Sequence, residues 1–96
     1  MTCERTRAYA RLIRTLEDLG PIKLQSAEEA QIRFTADQLL FCADIVHDEA
    51  ARRAYAEVDR LCERLVASGR WSAARAARLQ DDVWACGPGL LSLHAA

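Results

Sequence analysis

Residues 41–50, FCADIVHDEA, hold Cys42, Asp44, His47, Asp48 and Glu49, side chains that bind metals or move protons when they converge. On a helical wheel of about 100° per residue, Asp44, His47 and Asp48 fall within one quadrant, while Cys42 points away from them. A carboxylate followed three residues later by histidine is one arm of a bundle-core di-iron site. Such a site needs a second arm and two further glutamates facing it, and His94 is the other histidine of the chain. Arg52 and Arg53 lie four residues after Asp48 and Glu49, the spacing for ion pairs along a helix surface. The stretch therefore reads as helix surface, with His47 at the border of the apolar face and its polar edge outward. No catalytic residue, cofactor or metal ligand is assigned. An enzyme or metal protein using Asp44, His47 and Asp48 is the alternative, and it requires convergent groups from other elements.

Other chemical signals are sparse. There is no Gly-rich phosphate loop, GxSxG elbow or HExxH pair. Cysteines stand at 3, 42, 62 and 86 without a CxxC pair, so neither a zinc site nor a disulfide framework is indicated. They read as reduced, buried small hydrophobes.

Composition sets the class of molecule. The chain has 96 residues, 51% hydrophobic and 28% charged, with a net charge of -1, which predicts one globular domain and argues against a dedicated polyanion binder. The N-terminal segment carries charges every few residues, unlike a signal peptide or membrane span, so a cytoplasmic location is expected. Of 13 basic residues only Lys23 is not arginine, and asparagine is absent. That bias fits GC-rich coding and a bacterial or phage source.

Periodicity predicts an all-α bundle of about four helices, at 3–19, 26–47, 49–68 and 72–86, forming a single domain over 1–86 with a C-terminal tail over 87–96. In the first helix Tyr9, Leu12, Ile13, Leu16 and Leu19 form one stripe and Arg7, Arg11 and Arg14 a basic face opposite. Thr2 is placed to cap its start, and Gly20-Pro21 stops it. Ser26 and Glu29 are spaced as a capping box for the second helix. There Ile32, Ala36, Leu39, Leu40, Ala43 and Val46 share one broad face, and Phe34, Phe41 and Ile45 lie on another. That makes it the central helix, covered on two sides. Asp48 is a candidate N-cap for the third helix, whose series Ala51, Ala54, Tyr55, Val58, Leu61, Cys62, Leu65 and Val66 ends near Gly69. With no glycine or proline between Pro21 and Gly69, helices two and three are either one rod or bent near 47–49. Ser72 caps the fourth helix, with Ala76, Leu79, Val83 and Cys86 inward and Trp84 beside them. Leu90, Leu91 and Leu93 of the tail would fold back or meet a partner.

Function is expected by elimination: a small non-enzymatic interaction protein (adaptor, regulator or inhibitor) that uses Phe34, Phe41 and Ile45 as a contact surface for a protein partner or a second copy. The segment at 65–79, a helix, a glycine turn and a second helix with Arg75 and Arg78, gives a helix-turn-helix-like nucleic-acid binder as the alternative. Asp81 and Asp82, directly after it, oppose that reading.

Overall fold

The computed structural model describes residues 3–88 as four helices: α1 (Cys3–Lys23), α2 (Ser26–Leu40), α3 (Glu49–Ala67) and α4 (Ala73–Ala85), with a 3₁₀ turn at Ile45–His47 between α2 and α3. The expected all-α bundle is the observed architecture. The Thr2 cap, the tail from residue 89 with its three leucines, and His94 lie outside the described residues.

Along α1 the helical geometry breaks where the glycine stands. Gly20 adopts φ 73 and ψ 174, a conformation open to a residue without Cβ. Residues 21–23 then form one more helical turn, closed by the Leu24 N–H donating to the Gly20 carbonyl at 3.0 Å. Proline opens that turn at no cost, since the first helical N–H has no partner anyway. The expected linker is thus partly helical.

The cap of α2 lies one position earlier than expected. Gln25 is the N-cap, and its backbone N–H donates to Glu28 Oε1 at 2.9 Å, whereas the sequence placed the box on Ser26 and Glu29. Glu28 occupies this position because it also takes a two-pronged contact from Arg70, at 2.9 Å to each carboxylate oxygen. The caps of α3 and α4 are the expected ones. Asp48 Oδ1 accepts the Ala51 N–H at 3.0 Å and Ser72 Oγ the Arg75 N–H at 3.1 Å. At the end of α3 Gly69 has φ 82, the Gly69 N–H donates to Val66 and the Arg70 N–H to Leu65. This crossed pair satisfies carbonyls that a helix end leaves open.

The expected second helix over 26–47 is corrected: α2 ends at Leu40, and neither a rod nor a sharp bend at 47–49 follows. Phe41 to Asp44 leave the helix, and Asp44 Oδ1 accepts the Val46 N–H at 3.0 Å to start the 3₁₀ turn. The Arg5 guanidinium donates to the carbonyls of Leu39, Leu40 and Cys42 at 2.5, 2.8 and 2.9 Å. It fills acceptors that a continuing helix would use itself. The break moves Ile45 into the core at 2% exposure and turns Val46 outward to 48%. Both placements reverse the expected faces.

The core lies where the helices meet. Leu12 and Leu16 of α1, Ile32, Ala36 and Leu39 of α2, Val58, Leu61 and Leu65 of α3, and Leu79 and Val83 of α4 are buried, with Trp71 from the α3–α4 turn. Both α2 and α4 pack against the other three helices. The buried Thr35 hydroxyl donates to the Gln31 carbonyl at 3.0 Å and lies 3.2 Å from the Ala54 carbonyl, fixing the level of α2 against α3. Tyr55 and Trp84 pack with ring centroids 4.6 Å apart and planes tilted by 48°, which joins α3 to α4 at the edge of the core.

Candidate functional site

The helix break keeps Asp44 beside His47 and directs Asp48 to the start of α3. His47 Nδ1 meets Asp44 Oδ2 at 2.7 Å, and both side chains are exposed, His47 at 81%. The expectation that His47 packs on the apolar face is therefore corrected, because the 3₁₀ turn swings it into solvent. Asp44 is held below the usual carboxylate range first by His47 and then by the Val46 N–H. Asp48 is spent on capping α3, so Arg52 does not pair with it. Arg52 Nη1 instead donates to the main-chain carbonyls of Ile45 and Val46. The Arg53–Glu49 pair forms as expected, at 2.8 Å.

Cys42, expected to point away from its neighbours, is buried near Asp48. Burial, and then that carboxylate, push its pKa up. Among the described residues no three His, Cys, Asp or Glu side chains gather closely enough to hold a metal ion.

The thiols of Cys62 and Cys86 are equally quiet. Burial pushes Cys62 and Cys86 up to about 11, with Asp59 and Asp82 respectively adding to the shift, and burial takes Tyr55 up to about 12. A thiol so raised carries almost no thiolate at neutral pH and is a poor nucleophile. For these three groups the folded chain holds its proton more tightly than the unfolded one. Their contribution to stability is complete below pH 9, the ordinary thiol value, and is lost as pH rises through about 11 to 12. The urea midpoint is thus expected to hold from pH 7 to 9 and to fall steadily above it. A thiol-specific reagent at pH 7.5 should modify Cys42, Cys62 and Cys86 only as fast as the chain unfolds. A flat midpoint from pH 9 to 11 would contradict the assignment.

The basic face exists as a surface. Arg7, Arg11 and Arg14 are all exposed along α1. Arg11 lies near the half-buried Asp82, lowering a carboxyl that burial, the larger influence, raises. Arg75 and Arg78 of α4 are exposed but line a groove of about 220 Å³ together with Asp18, Asp82, Leu19 and Trp71. That groove is of mixed sign, in contrast to the uniform positive potential that phosphates select.

The most distinctive exposed surface is on α2. Phe34 is 57% and Phe41 74% exposed. Seven residues apart, they lie on the same side of the helix, about 10 Å from each other. Phe41 stays on the last turn through its N–H to the Asp37 carbonyl at 3.2 Å. Ile45, expected to belong with them, is corrected to the core. Ala27 and Ala30 are exposed beside the phenylalanines, Gln31 and Gln38 partly so, and none of the four carries a charge. The nearest charged groups are already engaged: Asp37 accepts the Tyr9 hydroxyl at 2.6 Å, and Arg33 pairs with Glu29 at 3.0 Å. Phe34 also borders a groove of about 270 Å³ with Ala50, Arg53, Ala54 and Glu57 of α3.

Sequence reasoning missed the residues that hold this surface in place. Arg5 joins the ends of α2 and α4, since its Nε also donates to the Cys86 carbonyl at 3.0 Å. Arg70 and Trp71 join the α3–α4 turn to the α1–α2 junction, both donating to the Lys23 carbonyl. Nothing in the local spacing marks them, because each reaches partners more than 30 positions away.

In class this is a small four-helix protein with an exposed aromatic face and, among the described residues, no helix long and apolar enough to cross a membrane. No family model, curated protein or solved structure matches the chain.

Proposed function

We propose that this protein acts without catalysis, by binding another polypeptide through the exposed face of α2, as an adaptor, regulator or inhibitor. The observation that carries the reading is the exposure of Phe34 and Phe41 on one face of the same helix. Single exposed apolar residues are ordinary, but two aromatics on one helix face, with the one carboxylate between them held by the Tyr9 hydroxyl, have the composition of an interface centre. The non-catalytic reading is supported by Asp44 and His47 pairing with each other in solvent, by Asp48 capping α3, and by the neutral state of the buried thiols.

Capture from an extract of the source cells on immobilised full-length chain tests the reading. Wild type should retain a protein that, once purified, binds it directly. The F34S/F41S double variant should lose that protein while melting at nearly the wild-type temperature, because both side chains are exposed. Replacing Arg7, Arg11 and Arg14 together by glutamine should leave the interaction intact. Binding that survives F34S/F41S and disappears with the arginine changes would transfer the function to α1 and to an anionic partner.

A further inference from the structure

We infer that the occupant of the α2 face is a second copy of this chain, laid antiparallel on the first about a two-fold axis level with Phe34. The inference rests on the protein-contact reading above and supplies its partner and its register.

The large apolar side chains exposed among the described residues are Ile22, Phe34, Phe41 and Val46. Phe34 lies on α2 and Phe41 caps its end, while Ile22 stands in the last turn of α1 and Val46 in the 3₁₀ turn that follows α2. A two-fold contact requires one patch to complement itself, so residues at equal distances on either side of the axis must suit each other. With the axis at Phe34, the two Phe34 rings meet at the centre and Phe41 falls over the partner's Ala27. Seven positions separate each of these from Phe34. The bulkiest side chain on the face thus meets one of the smallest. Gln38 comes over the partner's Ala30, and the end of α2 that follows Ile22 is brought to the partner's end that precedes Val46.

Charge follows the same symmetry. The groove beside Phe34 is rimmed by Arg53 and Glu57 of α3, one turn apart. The contact between Thr35 and the Ala54 carbonyl sets α2 against α3 so that Arg53 and Glu57 bracket the level of Phe34. The two-fold rotation brings Arg53 over the partner's Glu57 and Glu57 over the partner's Arg53, two equivalent opposite-charge contacts at the edge of the aromatic centre. Apolar centre and charged rim are the usual layout of a specific interface. A foreign partner would account for the bare face but not for a rim whose two opposite charges fall on either side of the central aromatic, each held within the chain only by an exposed pair, Arg53 with Glu49 and Glu57 with Arg60.

Light scattering and sedimentation of the full chain over a dilution series read the mass directly. Wild type is expected at twice the monomer mass at high concentration, and F34E should raise the dissociation constant on the order of 100-fold. R53E and E57R should each weaken the dimer by roughly 10-fold, since each places like charges together twice. Mixed in equal amounts, those two variants should recover the wild-type affinity as a mixed dimer, because every rim contact is again of opposite sign. Circular dichroism melts confirm that each variant is folded. A wild-type monomer at every concentration overturns the second copy as occupant while leaving the face to another chain. A dimer indifferent to F34E overturns both the inference and the α2 reading. Sensitivity to F34E without recovery in the mixture overturns the antiparallel register.

Discussion

Replacing Arg5 with alanine is expected to destabilise the fold by about 2–3 kcal/mol, the scale of hydrogen bonds from a charged donor. Four main-chain carbonyls depend on this guanidinium: Leu39, Leu40 and Cys42 where α2 ends, and Cys86 where α4 ends. Helix C-termini present unpaired acceptors and a partial negative charge, so a cation there is favoured twice over. The side chain is only partly buried, and water replaces some of the lost bonds, which keeps the cost below that of a fully buried charge. Lysine should recover less than half of the loss. A single ammonium cannot fork between Cys86 and the α2 carbonyls as the planar guanidinium does. The check is urea unfolding of the wild type, R5A and R5K with equal m-values, together with hydrogen exchange at residues 41–48, which should accelerate most in R5A. A change under about 0.5 kcal/mol, the range of ordinary surface substitutions, would show that the three chain segments hold together without the clamp.

The larger effect is expected at the opposite end of the bundle. Trp71 is 3% exposed, packs with the core from the α3–α4 turn, and donates its indole N–H to the Lys23 carbonyl at 2.9 Å. Trp71→Ala should cost about 3–5 kcal/mol through lost apolar contact and the cavity left behind. A domain of this size has only about 5–15 kcal/mol in total, so Tm should fall by at least about 12 °C. Trp71→Phe retains most of the ring and gives up the hydrogen bond, and it should cost nearer to 1 kcal/mol. The Lys23 carbonyl still accepts from Arg70 Nη2 at 3.2 Å. The contrast between the two variants separates packing from hydrogen bonding. Equal losses would mean that the bond, rather than the buried ring, ties the turn to the α1–α2 junction.

These two side chains explain why α2 presents a free face at all. Arg5 closes one end of the bundle and Trp71 with Arg70 the other, so α2 is held against α1, α3 and α4 along one side. With three helices already packed there, its remaining side keeps Phe34 and Phe41 in solvent. The sequence assigned α2 two apolar faces and expected both to be covered. The break after Leu40 changes that count by moving Ile45 from the Phe34 and Phe41 set into the core.

What the sequence determined by itself is local in origin. The stripe Tyr9, Leu12, Ile13, Leu16 and Leu19 appears as expected, with Leu12 and Leu16 buried and the others half-buried. The Gly20 break, the Asp48 and Ser72 caps and the Gly69 terminus also appear at the expected residues. Each depends on side chains three or four positions apart, or on the φ a single residue tolerates, and that information is written in neighbouring letters. Tertiary structure decided where α2 ends, which way Ile45, Val46 and His47 turn, and that Glu28 rather than Glu29 completes the α2 cap. Without glycine or proline the segment from Pro21 to Gly69 carries no local stop, and its helix yields because Arg5, 34 to 37 positions away, binds the carbonyls at its end. The same guanidinium reaches Cys86 across 81 positions. Contacts at that separation exist only once the chain has packed, so no periodicity records them, and the carbonyls at the end of α2 are filled by a side chain that lies well outside the 41–50 segment.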